Sequence, residues 1–240
     1  MALFTDGAIS CIDELAAQDS QLLGVTNTEG IDVTQKIALA QEELAVELDI
    51  LAPGQRRAMV VTPALKLWHT FRTLEMVYSD AYNSQLNDRY AGMQQKFADL
   101  ARRAQDRVML IGVGIAADPV PRAAIPNVTA TAGNLAPGTY YATMSWVNRR
   151  GEEGASATPA VATIAGSTLV VAPGNPPGNA TGWNVYVGTA PDAMARQNAA
   201  ALATGENWVQ PAAPTTTGPR PGKGQEPNYL RALPRILQRG

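Results

Sequence analysis

Apolar positions in the first half of the chain recur every three or four residues, the spacing of one buried helix face. The clearest run is residues 86–114. There Tyr90, Met93, Phe97, Leu100, Ala104, Val108 and Ile111 keep one phase, while Asp88, Arg89, Gln94, Gln95, Lys96, Asp99, Arg102, Arg103, Asp106 and Arg107 occupy the others. This pattern predicts a long amphipathic helix that stops at Gly112-Val113-Gly114. Upstream, Ile9, Ile12, Leu15 and Ala16 predict a short helix over 7–18 with Thr5 or Asp6 as its cap, then a turn through Gly24, Asn27 and Gly30. Val33, Ile37, Ala40, Leu44, Leu48 and Leu51 predict a further helix, capped by Asp32 and ended by Pro53-Gly54. Thr62-Pro63 opens another, with Leu67, Phe71, Leu74, Tyr78 and Tyr82 on one side and a bend near Asn83-Ser84. Four helices with short connections predict a small up-and-down bundle.

Beyond Gly114 the period changes. Asp118, Pro119, Pro121 and Pro126 fix an extended linker, and Val128 begins strand-like alternation. In the stretch opened by Gly138, Tyr140, Ala142, Met144 and Trp146 fall in one phase, and Tyr141, Thr143, Ser145 and Val147 in the other. Further β-branched runs lie at 160–164, 168–171 and 182–187, separated by glycine and proline turns, and Trp208-Val209 supplies a last strand. Short strands at this spacing predict a β-sandwich of roughly a hundred residues. Residues 215–224 read as an extended return linker. The expected architecture is α+β and multidomain: a helical bundle over 1–118, an inserted all-β sandwich over 119–224, and a C-terminal arm over 225–240.

Composition sharpens the division. Fifteen of the 17 prolines follow Asp118, so the turn-rich half is the second one. Net charge is −2, but residues 1–118 carry 10 bases against 16 acids, and 225–240 carry Arg231, Arg235 and Arg239 against Glu226. An acidic front and a basic tail exclude a broad cationic field for nucleic acid. The single cysteine, Cys11, has no partner for an intrachain disulfide and reads as a core thiol beside Ile12 and Leu15. With no basic-then-apolar leader after Met1 and no apolar run near ~20 residues, the expectation is a protein made and kept in a reducing cytoplasm.

Residues 225–240 alternate Tyr229, Leu230, Leu233, Ile236 and Leu237 with arginines. They either pack back on the bundle or dock on another subunit or partner. Leucines beside arginines suit an interface better than a closed core, which favours the docking arm.

Catalytic chemistry is sparse. His69 is the only histidine, so metal triads and serine–histidine pairs have at most one member. Gly112-Val113-Gly114 closes a helix where a dinucleotide fingerprint opens one, and reads as a helix stop. Glu42-Glu43 and Glu152-Glu153 read as solvated faces, the second in a hairpin turn. Neither a phosphate loop, a zinc spacing nor a calcium loop occurs in the sequence. The expectation is no enzyme, no cofactor and no metal. A virion enzyme such as a wall hydrolase is left only with scattered Asp and Glu residues.

The helical half resembles the head–tail adaptor (head completion, connector) proteins of tailed bacteriophages. Glu29-Gly30-Ile31-Asp32 leading into residues 36–44, with Leu86-Asn87-Asp88-Arg89-Tyr90 heading the long helix, carries the resemblance. The β half is similar to the fibronectin type III/Ig-like modules of phage structural proteins through 135–141, 148–154 and 180–189. The resemblance implies a virion protein at the head–tail interface. Copies would form a ring, commonly twelvefold, under the portal and above a tail or nozzle protein, with DNA passing through unbound in sequence. It further implies portal contact by Tyr229, Leu230, Arg231, Leu233, Arg235, Ile236 and Leu237. The inserted module departs from the plainest family members and requires its two ends to lie close together. An alternative is a tail-associated or host-surface-binding protein working through the sandwich, with Trp146, Trp183, Tyr140 and Tyr186 as a carbohydrate platform, although core positions of a sandwich explain these aromatic residues better.

Overall fold

A computed structural model describes residues 1–85, 88–211 and 213–231. The chain divides into two compact units, and both are discontinuous. Gly7–Ile115 joins the segment from Pro227 in a helical unit, while Met1–Asp6 joins Ala116–Glu226 in a β unit. The first six residues therefore leave the helices with which the sequence pattern grouped them. Leu3 and Phe4 are both buried.

The helical unit holds α1 (Ile12–Gln18), α2 (Leu22–Glu29), α3 (Val33–Leu51), α4 (Pro63–Gln85) and α5 (Ala91–Ile111). Asp32 caps α3 as its residue type demands, accepting from the Thr34 N–H at 2.9 Å and the Gln35 N–H at 3.2 Å. The helix α4 packs against both α3 and α5. Leu15, Leu22, Val25, Val33, Ile37, Leu74, Val77, Tyr78, Ala81, Tyr90 and Phe97 form a shared core. Its centre is the Tyr78–Phe97 ring pair, stacked with centroids 5.4 Å apart.

Three expectations need correcting here. The segment read as a turn is α2, because Leu22, Val25 and Thr26 are buried at helical spacing while Gly24 and Asn27 face out. Core burial there outweighs the ~1 kcal/mol that a helical glycine costs. Helix α1 starts at Ile12, not Gly7. Asp6 does not cap it, and instead accepts from the Leu3 and Arg122 N–H groups within the β unit. Cys11 is the N-cap of α1 and is exposed, so it is not a core thiol.

Gly112 ends α5 with a positive φ of 101°, its N–H donating to the Val108 carbonyl at 2.8 Å. The chain then enters β1 (Val113–Ile115), which pairs antiparallel with the distant Asn228–Leu230 segment, Val113 opposite Leu230.

In the β unit, β2 (Asn127–Ala132), β5 (Ser167–Ala172) and β8 (Trp208–Val209) form one sheet in the order β2-β5-β8. A second sheet takes β3 (Gly138–Asn148), β4 (Ala160–Ile164), β6 (Ala180–Gly188) and β7 (Ala195–Arg196) in the order β4-β3-β6-β7. The Asn228–Leu230 strand of the helical unit is thus β9 in chain order. All these pairings among the described residues are antiparallel. Both sheets feed one core containing Tyr140, Met144, Trp146, Leu169, Val171, Trp183, Val185 and Trp208. Gln225 ties the two ends of this unit together. Its side chain accepts from the Val120 N–H at 2.6 Å and donates to the Asp118 carbonyl at 2.8 Å.

Candidate interaction site

The arm residues singled out in the sequence divide into two groups. Tyr229 and Leu230 lie in β9, their backbones committed to β1 and their side chains about half exposed. Arg231 follows, exposed, with its Cα close to the space a Gly112 side chain would fill. Leu233, Arg235, Ile236 and Leu237 lie outside the described residues.

The other polar clusters serve the fold. His69 is fully buried on α4, its Nε2 3.0 Å from the Ile37 carbonyl and its Nδ1 2.6 Å from Ser10 Oγ. A carbonyl only accepts, so Nε2 carries the proton and Nδ1 receives the Ser10 hydroxyl. Burial holds the imidazole below its ordinary pKa, against a smaller opposing effect of the Ile37 carbonyl. A neutral, doubly bonded ring pins α4 to α3 and to the approach to α1.

Glu152 and Glu153 are not the solvated pair expected of a hairpin turn. One Glu153 carboxylate oxygen accepts from Ser145 Oγ, from Tyr186 Oη and from Asn184 Nδ2, the last at 3.1 Å. Glu152 accepts from Asn148 Nδ2 at 2.8 Å and Gln225 Nε2 at 2.9 Å. Burial, then the hydrogen bond to Glu153, pushes the Tyr186 phenol well above its ordinary value. The turn folds its carboxylates onto the outer face of β3 and β6, where Glu153 takes the buried Ser145 hydroxyl and the Asn184 amide N–H, while buried Thr143 donates to the Ala157 carbonyl at 2.7 Å. The aromatic platform fares no better as a surface: Trp146, Trp183, Tyr140 and Tyr186 are all buried.

Among the described residues no group of three or more His, Cys, Asp and Glu side chains is placed to hold a metal ion, and no helix is long and apolar enough to cross a membrane.

What the helical unit does present is an open flank. On α3, Leu39, Val46 and Ile50 are 40%, 60% and 71% exposed. They follow one another at steps of seven and four, on one side of the helix, with Glu42, Glu43 and Glu47 between them. This second apolar phase was legible in the sequence but hidden by the stronger core stripe of the same helix. Beside it runs a groove of about 560 Å³, floored by Leu44, Trp68, Arg72 and Glu75, with Glu43, Val46 and Glu47 on the α3 side and Ala98, Ala101, Arg102 and Gln105 on the α5 side. Arg72 is already satisfied, with Glu43 and Glu75 both 2.7 Å away. Glu42 and Glu47 make no ion pair among the described residues. The arrangement suits docking of an apolar, cationic segment and offers no nucleophile–base pair.

Comparison with protein-family models, with curated proteins and with solved structures finds no match.

Proposed function

We propose that this chain is a structural, non-enzymatic virion protein, a head–tail adaptor whose helical units assemble into a ring between the portal and a tail or nozzle protein. The observation that carries the reading is the exposed Leu39–Val46–Ile50 ladder beside the groove floored by α4. Three exposed apolar side chains in one phase of a helix, set among glutamates, support a surface that protein covers. The ring of the resembled family is commonly twelvefold. The acidic balance of the helical half suits the wall of a DNA channel, since cationic contacts are what hold phosphates.

The β unit is a fibronectin type III/Ig-like module in this reading. The support is topological. Strand order β4-β3-β6-β7 in one sheet, with β2 paired to β5 in the other, corresponds to the C′-C-F-G and B-E arrangement of that module. Edge strand β8 beside β5, with no strand on the outer edge of β2 among the described residues, is the departure. The burial of its aromatic residues counts against a carbohydrate platform. Negative-stain imaging of the purified chain, alone and mixed with portal, tests the proposal. Rings that seat on portal support it, and a monomer that ignores portal refutes it.

A further inference from the structure

We infer that the groove between α3 and α5 is the socket for residues 231–240 of a neighbouring copy, so that the arm joins subunit to subunit. This rests on the ring reading above and names the arm's partner within it.

Three observations carry the assignment. The first is charge. The exposed ladder on α3 carries Glu42, Glu43 and Glu47 and no base beyond Lys36. The segment after β9 carries Arg231, Arg235 and Arg239 among Leu233, Ile236 and Leu237. The groove's own guanidinium groups, Arg72 and Arg102, are already paired with Glu43, Glu75 and Asp99, so Glu42 and Glu47, which make no ion pair among the described residues, are the carboxylates open to the arm's arginines. The second is position. Pairing of Leu230 with Val113 releases the chain at the C-terminal end of α5, next to Leu110 and Ile111, which are 70% and 42% exposed. The ten residues beyond reach up to ~33 Å when extended, ample to leave one subunit and enter another. The third is the kind of contact. Socket and arm are unlike surfaces, so their union is heterologous, the type that propagates head to tail and closes into a ring. A like-with-like contact of two α3 ladders would set glutamates against glutamates and end at a dimer.

The chain's own groove is also within reach, about 10 Å back along α5 from Gly112 to Gln105, so the test must separate self from neighbour. In a Cys11→Ser background, one chain carries Val46→Cys and a second, distinguished by a size tag, carries Leu233→Cys. After mixing, assembly and mild oxidation, the expected product is a covalent heterodimer across the two sizes. A chain carrying both cysteines is expected to give a ladder of covalent oligomers. Adding Glu47→Lys is expected to lower the cross-linking yield severalfold. A double-cysteine chain that closes only on itself, as a monomer, overturns the inference. So does an absence of cross-links in particles that are rings by imaging, which leaves the ring reading intact. An absence of cross-links in a chain that is monomeric by mass photometry, even with portal present, overturns both.

Discussion

Replacing Phe97 with alanine should unfold the helical unit far more readily while leaving the β unit unchanged. Phe97 is buried at the centre of the helical core and stacks on Tyr78 with the ring planes only 17° apart. Removing a buried phenylalanine costs about 3–5 kcal/mol, the spread reflecting how far the walls collapse into the cavity. Here collapse is limited, because Tyr78 is held by its hydrogen bond to the buried Asp19 and cannot follow the missing ring. A loss near 4 kcal/mol is therefore expected. With a urea slope of about 2 kcal/mol/M for a unit of this size, the midpoint should fall by about 2 M. Helicity by circular dichroism follows the helical unit. Tryptophan emission follows mainly the β unit, which holds Trp146, Trp183 and Trp208 against the single Trp68 of the helices. The β cluster around Trp146 and the helical cluster around Tyr78 share no residue among those described. The helical transition should move and the emission transition should stay. Transitions that move together, or a helical shift below about 1 kcal/mol, would refute the reasoning about separate cores and a clamped Tyr78.

Other outcomes follow from single sites. Glu153→Ala strands the Ser145, Tyr186 and Asn184 donors and should destabilise the β unit by at least about 2 kcal/mol, with Tyr186→Phe costing less; a solvated turn carboxylate would give a change within about 0.5 kcal/mol in the same emission-monitored unfolding. His69 titrates below its unfolded value of 6.5, so its contribution is complete above pH 6.5 and is lost as pH falls through the depressed folded pKa. The helical urea midpoint should accordingly drop between pH 7 and 5 in the parent and drop less in His69→Gln; equal slopes would contradict the buried neutral ring. Gly112→Ala places a Cβ 2.7 Å from the Leu230 carbonyl oxygen at a φ of +101°. Amide exchange at residues 113–115 and 228–230 should lose protection while α3 and α4 keep theirs, and unchanged protection would disprove the contact.

Much of the helical half could be read from periodicity because α3, α4 and α5 are long enough for a 3.6-residue phase to repeat several times. The shorter α2 could not. Its eight residues include Gly24 and Asn27, which locally signal a turn, and only burial against other helices makes it a helix. Strands β3 and β6 announced themselves by alternation, but the alternation misled about their outer face. Thr143 and Ser145 are as buried as Met144, because the chain after β3 folds back over them: the Ala157 N–H meets the Met144 carbonyl at 2.8 Å and the Gly154 N–H the Trp146 carbonyl at 3.0 Å. That return is a tertiary event with no local signature. The pairing of β1 with β9 was equally silent, since three-residue strands more than a hundred positions apart carry no period. The open flank of α3 had a signal, three apolar residues among glutamates, whose meaning depended on knowing that α4 and not α3 lies at the middle of the helices.

The most direct measurement is the mass of the particle the full chain forms when mixed with a tailed-phage portal, read by mass photometry and imaged in negative stain. The account predicts a closed ring of many copies seated coaxially on the portal, dispersed by deleting residues 231–240. A particle of one chain's mass, 25.4 kDa, that stays apart from portal would contradict it.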